Sequence, residues 1–254
     1  MEKVVYYKTE SGVATLTLNR PERINAFNWE LLELLSGYLE ELKRDESLFA
    51  VKIEANGDKG FCSGVDLGLL EDLKSPSEAR QFALLMEETM LRLFNFPLPV
   101  ISLIHGIAFG GGFGIALSSD IRLLNNNSDI RFPAVRIGAI LPITCTIRLN
   151  HLAGVSLAKE LILTGRSIKP EEAVRRGLAH FRGTEREIRE KTDWYLENIR
   201  QADREALILQ KTAANQQIVA EISKYAVQSA ENFAYFYASG NWKQLRKKKA
   251  AKSK

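Results

Sequence analysis

Hydrophobic and polar positions repeat along the chain with two periods, and the changes between them mark the elements. Residues 4–9 and 13–18 alternate and read as strands joined by a turn at Ser11-Gly12. Asn28 then caps a predicted helix reaching about Arg44, with Leu31, Leu34, Leu35, Leu39 and Leu42 along one face. Residues 50–55 form an apolar strand. Ser75-Pro76-Ser77 opens a helix over 77–95, and Pro97 and Pro99, which cannot continue a helix, precede a buried strand over 100–104. Short strands over 121–124 and 129–132 flank the polar turn Asn125-Asn126-Asn127-Ser128. From about Thr146 the pattern is helical, over 147–153, 156–163, 170–176, 185–199 and 203 to about 237, punctuated by Gly154, Gly165, Gly177 and Gly183. The opening order β, β, α, β, α, β, α implies an α/β fold with a parallel sheet, where ligand groups gather at the C-terminal ends of strands. No domain linker interrupts it.

Two of those strands run into glycine loops. The first is Gly60-Phe61-Cys62-Ser63-Gly64-Val65-Asp66-Leu67; the second is His105-Gly106-Ile107-Ala108-Phe109-Gly110-Gly111-Gly112-Phe113-Gly114, followed by apolar Ile115-Ala116-Leu117. Each reads as strand, loop and helix start. A helix opening presents free N–H groups and the positive end of its dipole, which suits an anion, including one that exists only during a reaction. One N–H from each loop could grip a single oxygen; alternatively both loops are tight turns without chemistry. A dinucleotide fingerprint fails, because its third glycine would fall at Ile115 or Leu117, and Gly112-Phe113-Gly114 is no phosphate loop. Asp66 reads as an N-cap for the helix after its loop, and Asp120 as structural.

Composition narrows the class without naming a reaction. At 254 residues, 45% apolar and 26% charged, the chain has the balance of an ordinary soluble protein with a sizeable core. No stretch has the roughly 18 uninterrupted apolar residues of a membrane span, and the N-terminus does not read as a secretory signal. Cys62 and Cys145 make no disulfide framework, so a reducing cytoplasm is expected. The net charge of +4 is exceeded by the tail cations Arg246, Lys247, Lys248, Lys249, Lys252 and Lys254, so the body argues for no nucleic-acid partner. Three scattered histidines and two cysteines offer no metal site.

Ordered segments resemble the enoyl-CoA hydratase/isomerase, or crotonase, family. They are Asn19-Arg20-Pro21-Glu22-Arg23-Ile24-Asn25-Ala26, the two glycine loops, Ser119-Asp120-Ile121-Arg122, Phe132-Pro133-Ala134-Val135-Arg136-Ile137-Gly138, and Leu163-Thr164-Gly165 through Gly177-Leu178-Ala179. The resemblance implies a spiral of ββα units over about 1–198, a helical trimerisation region over about 199–240 and a basic tail over 241–254, in one unit spanning 1–254. It implies a homotrimer or hexamer and an acyl-CoA thioester as substrate, with coenzyme A entering as part of that substrate and no permanently bound cofactor. It assigns an oxyanion hole to the N–H groups of Val65 and Gly111. Substrate or CoA contacts then fall to Arg23, Ala26, Ser63, Gly64, Asp66, Leu67, Gly110 and Ala134, with Arg23 near the phosphates.

The chain also departs from the family pattern. The family's hydratases use two glutamates, and their positions here are Gly114 and Ala134, neither of which transfers a proton. Efficient hydration is therefore not expected. What remains is enolate stabilisation without a base, as in decarboxylation of a malonyl-type thioester, isomerisation through a residue from elsewhere, or binding of acyl-CoA or a partner subunit without turnover, as an assembly protein. Candidates for a replacement are few. Glu87 and Glu88 are expected on a solvated helix face, His105 as a packed residue, His151 and His180 away from both loops, and Cys145 lacks a visible base. Gly114 is expected to be reserved for its backbone geometry.

Overall fold

The computed structural model describes residues 3–244. β1 (Val5–Glu10) and β2 (Val13–Leu18) form an antiparallel hairpin pairing Val5 with Leu18. In α1 (Trp29–Leu42) the Asn28 side chain accepts the Leu31 N–H, and Leu31, Leu32, Leu35, Leu39 and Leu42 are buried. The inward stripe thus takes Leu32, while Leu34 is only half-buried. β3 (Ala50–Ala55), α2 (Leu67–Asp72) and α3 (Pro76–Phe94) follow, α3 capped by Ser75.

β4 (Val100–Ile104), β5 (Ile107–Phe109), α4 (Gly111–Ser118), β6 (Ile121–Asn125) and β7 (Asp129–Arg131) make up the middle of the chain. The rest is α5 (Ile143–Ala153), α6 (Val155–Thr164), β8 (Ser167–Ile168), α7 (Pro170–Arg175), β9 (Phe181–Gly183), α8 (Glu185–Arg200) and α9 (Arg204–Ser239). The short strands β5, β8 and β9 are absent from the pattern reading because two or three residues carry no periodicity. Helix α5 begins four residues before the expected Ile147, because a buried carboxylate of α3 accepts its first N–H groups.

Two sheets result. The larger has the order β1-β2-β3-β4-β6-β9, parallel from β2 onward; the smaller is β5-β7-β8. β4-β5-α4 and β6-β7-α5 each place one strand in the large sheet, the next in the small sheet and then a helix. After β3 the second strand shrinks to isolated bridges of Gly60 with Gly106 and Cys62 with Ala108. This is the expected spiral of ββα units. Burying both faces of the parallel strands requires nearly continuous apolar sequence, and Val51, Ile53, Val100, Ile101, Leu123 and Leu124 are all fully enclosed.

α9 returns along α3 and closes one side of the spiral. Of its aromatics, Phe233 and Phe236 are core residues, while Tyr235 is 79% exposed. Trp242 is buried and stacks on Tyr237 at 6.2 Å between ring centroids. The proposed boundary near residue 198 falls in the last turn of α8. The basic tail beyond Gln244 lies outside the described residues.

Candidate functional site

The two glycine loops are laced together by main-chain hydrogen bonds. Phe61 N–H donates to His105 O (2.9 Å), Cys62 N–H to Ile107 O (3.0 Å) and Phe109 N–H to Cys62 O (2.9 Å). So close an approach excludes side chains. A Cβ added to Gly112 would lie 2.2 Å from Cys62 O. Gly64 has φ +89°, and its added Cβ would meet Phe109 O at 2.9 Å and Gly111 N at 3.5 Å. The first loop is also pinned to the segment before α1, where Phe27 N–H donates to Gly64 O and Asp66 N–H to Phe27 O. Among the described residues, the N–H groups of Val65 and Gly111 donate to no protein acceptor.

Both residues line one cavity of about 230 Å³. Ser63, Gly64 and Val65 form one wall and Phe109, Gly110 and Gly111 a second; Leu67 and Leu70 come from α2. Pro133 and Ala134, then Ile137 through Pro142 apart from Gly138, close the far side, and Phe233 reaches in from α9. Among the described residues Ser63 carries the one polar side chain of this lining, and its hydroxyl donates to Arg23 O at 3.3 Å. No Asp, Glu, His, Lys or Cys lines the cavity among the described residues.

The expected contact residues therefore divide. Ser63, Gly64, Val65, Leu67, Gly110, Gly111 and Ala134 come together at the cavity. Arg23 is exposed beside it, and Ala26 is buried behind it with its N–H on Arg23 O. Asp66 does not line the cavity. Its carboxylate accepts the Gly68 N–H at 2.8 Å as the cap of α2 and pairs with Arg20 Nη1 at 2.6 Å. Burial opposes ionisation of Asp66, but Arg20 and the Gly68 N–H outweigh it and hold the carboxyl below its ordinary range. Asp120 accepts the Val100 N–H at 2.7 Å and the Lys211 ammonium at 2.6 Å. His105 Nε2 lies 2.7 Å from Gly57 O. Leu70, Phe109, Leu141 and Phe233 carry no sequence signal as cavity residues, because apolar side chains look alike in core and in pocket.

Two expectations are corrected. Glu87 is 2% exposed, not on a solvated face. Its carboxylate accepts from Ile143 N–H (2.6 Å), Thr144 N–H (3.1 Å), Thr144 Oγ1 (2.7 Å) and Ser229 Oγ (2.6 Å), so it caps α5 from across the core and starts that helix at Ile143. Gly114 does not have a left-handed backbone. A Cβ there would instead lie 2.1 Å from Cys145 Sγ and 3.2 Å from Met90 Cε. Burial raises the Cys145 thiol well above its ordinary pKa and pushes Cys62 up to about 12, which suits packed thiols rather than nucleophiles.

Comparison with known proteins agrees with this architecture. The sequence model of the enoyl-CoA hydratase/isomerase family matches residues 8–251. The chain is similar to the short-chain-enoyl-CoA hydratase of Clostridium acetobutylicum, 35% identical over 176 residues that cover 69% of this chain and 67% of that protein. It is also similar to the ethylmalonyl-CoA decarboxylase of Xenopus tropicalis, 35% identical over 68% of this chain and 57% of that protein. The fold matches the crystal structure of an enoyl-CoA hydratase from Bacillus halodurans with a TM-score of 0.90 at 22% identity, over 96% of this chain and 99% of that one. Sequence, spiral and neighbours agree: the chain belongs to the enoyl-CoA hydratase/isomerase family, the crotonase superfamily.

Proposed function

We propose that the cavity holds the acyl group of a CoA thioester, with its carbonyl oxygen between the N–H groups of Val65 and Gly111. The enolate oxygen formed there gains charge during reaction, and one preorganised donor of this kind is worth about 3 kcal/mol of barrier. In this reading exposed Arg23, whose carbonyl is tied to the cavity wall through Ser63, would meet the CoA phosphates.

The observation that carries the choice of reaction is a cavity with two free amides and, among the described residues, no carboxylate, imidazole, amine or thiol in its lining; its one hydroxyl, on Ser63, is bonded to Arg23 O. Hydration and isomerisation both move protons at carbon and need such a group. Decarboxylation does not: the bond from C2 to the carboxylate breaks, its electron pair moves onto the thioester carbonyl, CO₂ leaves and the enolate takes a proton from water. The apolar walls Leu67, Leu70, Ile137, Leu141 and Phe233 would strip water from the carboxylate before it is lost. The reading is therefore a decarboxylase of malonyl-type CoA thioesters. The similarity to a protein named ethylmalonyl-CoA decarboxylase supports it.

The test measures CO₂ release from malonyl-CoA and its 2-alkyl derivatives beside hydration of crotonyl-CoA. CO₂ release is expected, with hydration at least about 10³-fold slower than in an enzyme that has both glutamates. Fast hydration without CO₂ release would overturn it. Tight acyl-CoA binding by calorimetry with no turnover would instead establish a catalytically silent binding protein. We also propose a homotrimer, for which the exposed Tyr225, Val227 and Tyr235 on α9 supply apolar surface. Sedimentation equilibrium reads this directly, and a monomer would refute it.

A further inference from the structure

Helix α4 has its N-terminal residue Gly111 at the cavity and its other end among buried cations. At eight residues it is about 12 Å long. Of its last carbonyls, Leu117 O accepts Arg148 Nε at 3.0 Å, and just beyond the helix Ser119 O accepts Arg122 Nη1 at 2.7 Å. Arg122 is 1% exposed and Arg148 7%, yet neither guanidinium forms an ion pair among the described residues. Arg122 Nε goes to Leu178 O at 2.8 Å, and Arg148 lies 4.2 Å from the centre of the Phe94 ring.

Buried guanidinium groups are normally matched by carboxylates. Here the nearby carboxylate is Asp120, already held by Lys211 of α9. Arg122, Arg148 and Lys211 against Asp120 leave two positive charges in excess. His180, whose Nδ1 accepts the Arg122 N–H, adds none: burial and the Arg122 charge lower its pKa to about 4. Burial brings Arg122 down to about 9 and Arg148 to about 10, and both remain charged at neutral pH. The matching group for this excess is the negative end of the α4 dipole.

We propose that Arg122 and Arg148 are positioning residues that act through α4, raising the positive potential at the Gly111 amide and so favouring an enolate over its neutral enol or ketone. This rests on the oxyanion-hole reading given above. Over about 15 Å at an effective dielectric of about 20, one charge shifts a titration by half to one pKa unit.

The probe is acetoacetyl-CoA, whose C2–H gives its proton to solvent and whose oxygen takes the charge; the enolate absorbs in the near ultraviolet. The unmodified 254-residue chain is expected to lower the apparent pKa of the bound probe relative to the free thioester. Arg148→Met should raise that bound value by about half a unit, and Asp120→Asn should lower it by a similar amount. Arg148→Lys, which keeps the charge, should stay near wild type, as should Arg186→Met, which removes an exposed charge from α8. Loosened packing would weaken binding in both variants and move the pKa the same way. Opposite shifts therefore support the proposal, and shifts of one sign, or none, overturn it. If Arg148→Met does not fold, the downward shift in Asp120→Asn decides alone. If the wild type binds the probe without lowering its pKa, the oxyanion-hole reading fails first.

Discussion

At Gly114 the obstacle to a side chain is a sulfur atom, not a torsion. Cys145 Sγ occupies the space through which a longer residue would leave α4, so the two positions form one packing unit. Gly114→Glu is expected to cost about 1–3 kcal/mol of stability by overpacking, and more if the carboxylate stays buried and unpaired. Adding Cys145→Gly should recover part of that loss, and urea denaturation of the single and double variants measures it. Equal stability of the two would show that Cys145 is not the block. The residue types at 114 and 134 were plain from the sequence, and so was the absence of a nearby replacement acid. The partnership of Gly114 with Cys145 was not, because the two lie on different helices and no local pattern links them.

At the level of elements, caps and short-range periodicity predicted most of what forms. Asn28, Ser75 and Asp66 each cap the helix that follows, as their residue types foretell. Helix α5 departs from this, since Pro142 has no side chain that can cap it. Its cap is Glu87, reached through the fold from α3, and Ser229 of α9 joins the same carboxylate. Glu87→Ala should therefore cost about 3 kcal/mol, because several buried donors lose a charged acceptor at once. Glu87→Gln, which keeps one acceptor oxygen, should cost less. A loss below about 1 kcal/mol for Glu87→Ala in urea denaturation would refute this account of the cap. Read as a helical pattern alone, Glu87 and Glu88 look equivalent; packing of α9 on α3 and α5 separates them, burying one and leaving the other exposed.

For the whole molecule, the cavity is a joint product of the spiral and of α9. Phe233 lines it from a helix that begins more than ninety residues after Gly111, and it packs on Phe236 at 5.5 Å and on Phe82 at 6.5 Å between ring centroids. Phe233→Ala is expected to lower stability by about 3–5 kcal/mol and to weaken acyl-CoA binding as well, by opening the apolar wall. Calorimetric titration of wild type and variant with acetyl-CoA checks the second effect, and unchanged affinity would remove Phe233 from the site. The longer strands, the principal helices, the two glycine loops and the family were determined by the sequence itself, because alternation, caps and glycine runs act over a few neighbours along the chain. Which amides stay unpaired, which glutamate is buried, where the excess charge lies and what walls the cavity were decided only by the tertiary structure. Burial and dielectric depend on groups brought together from distant parts of the chain, and no local pattern records them.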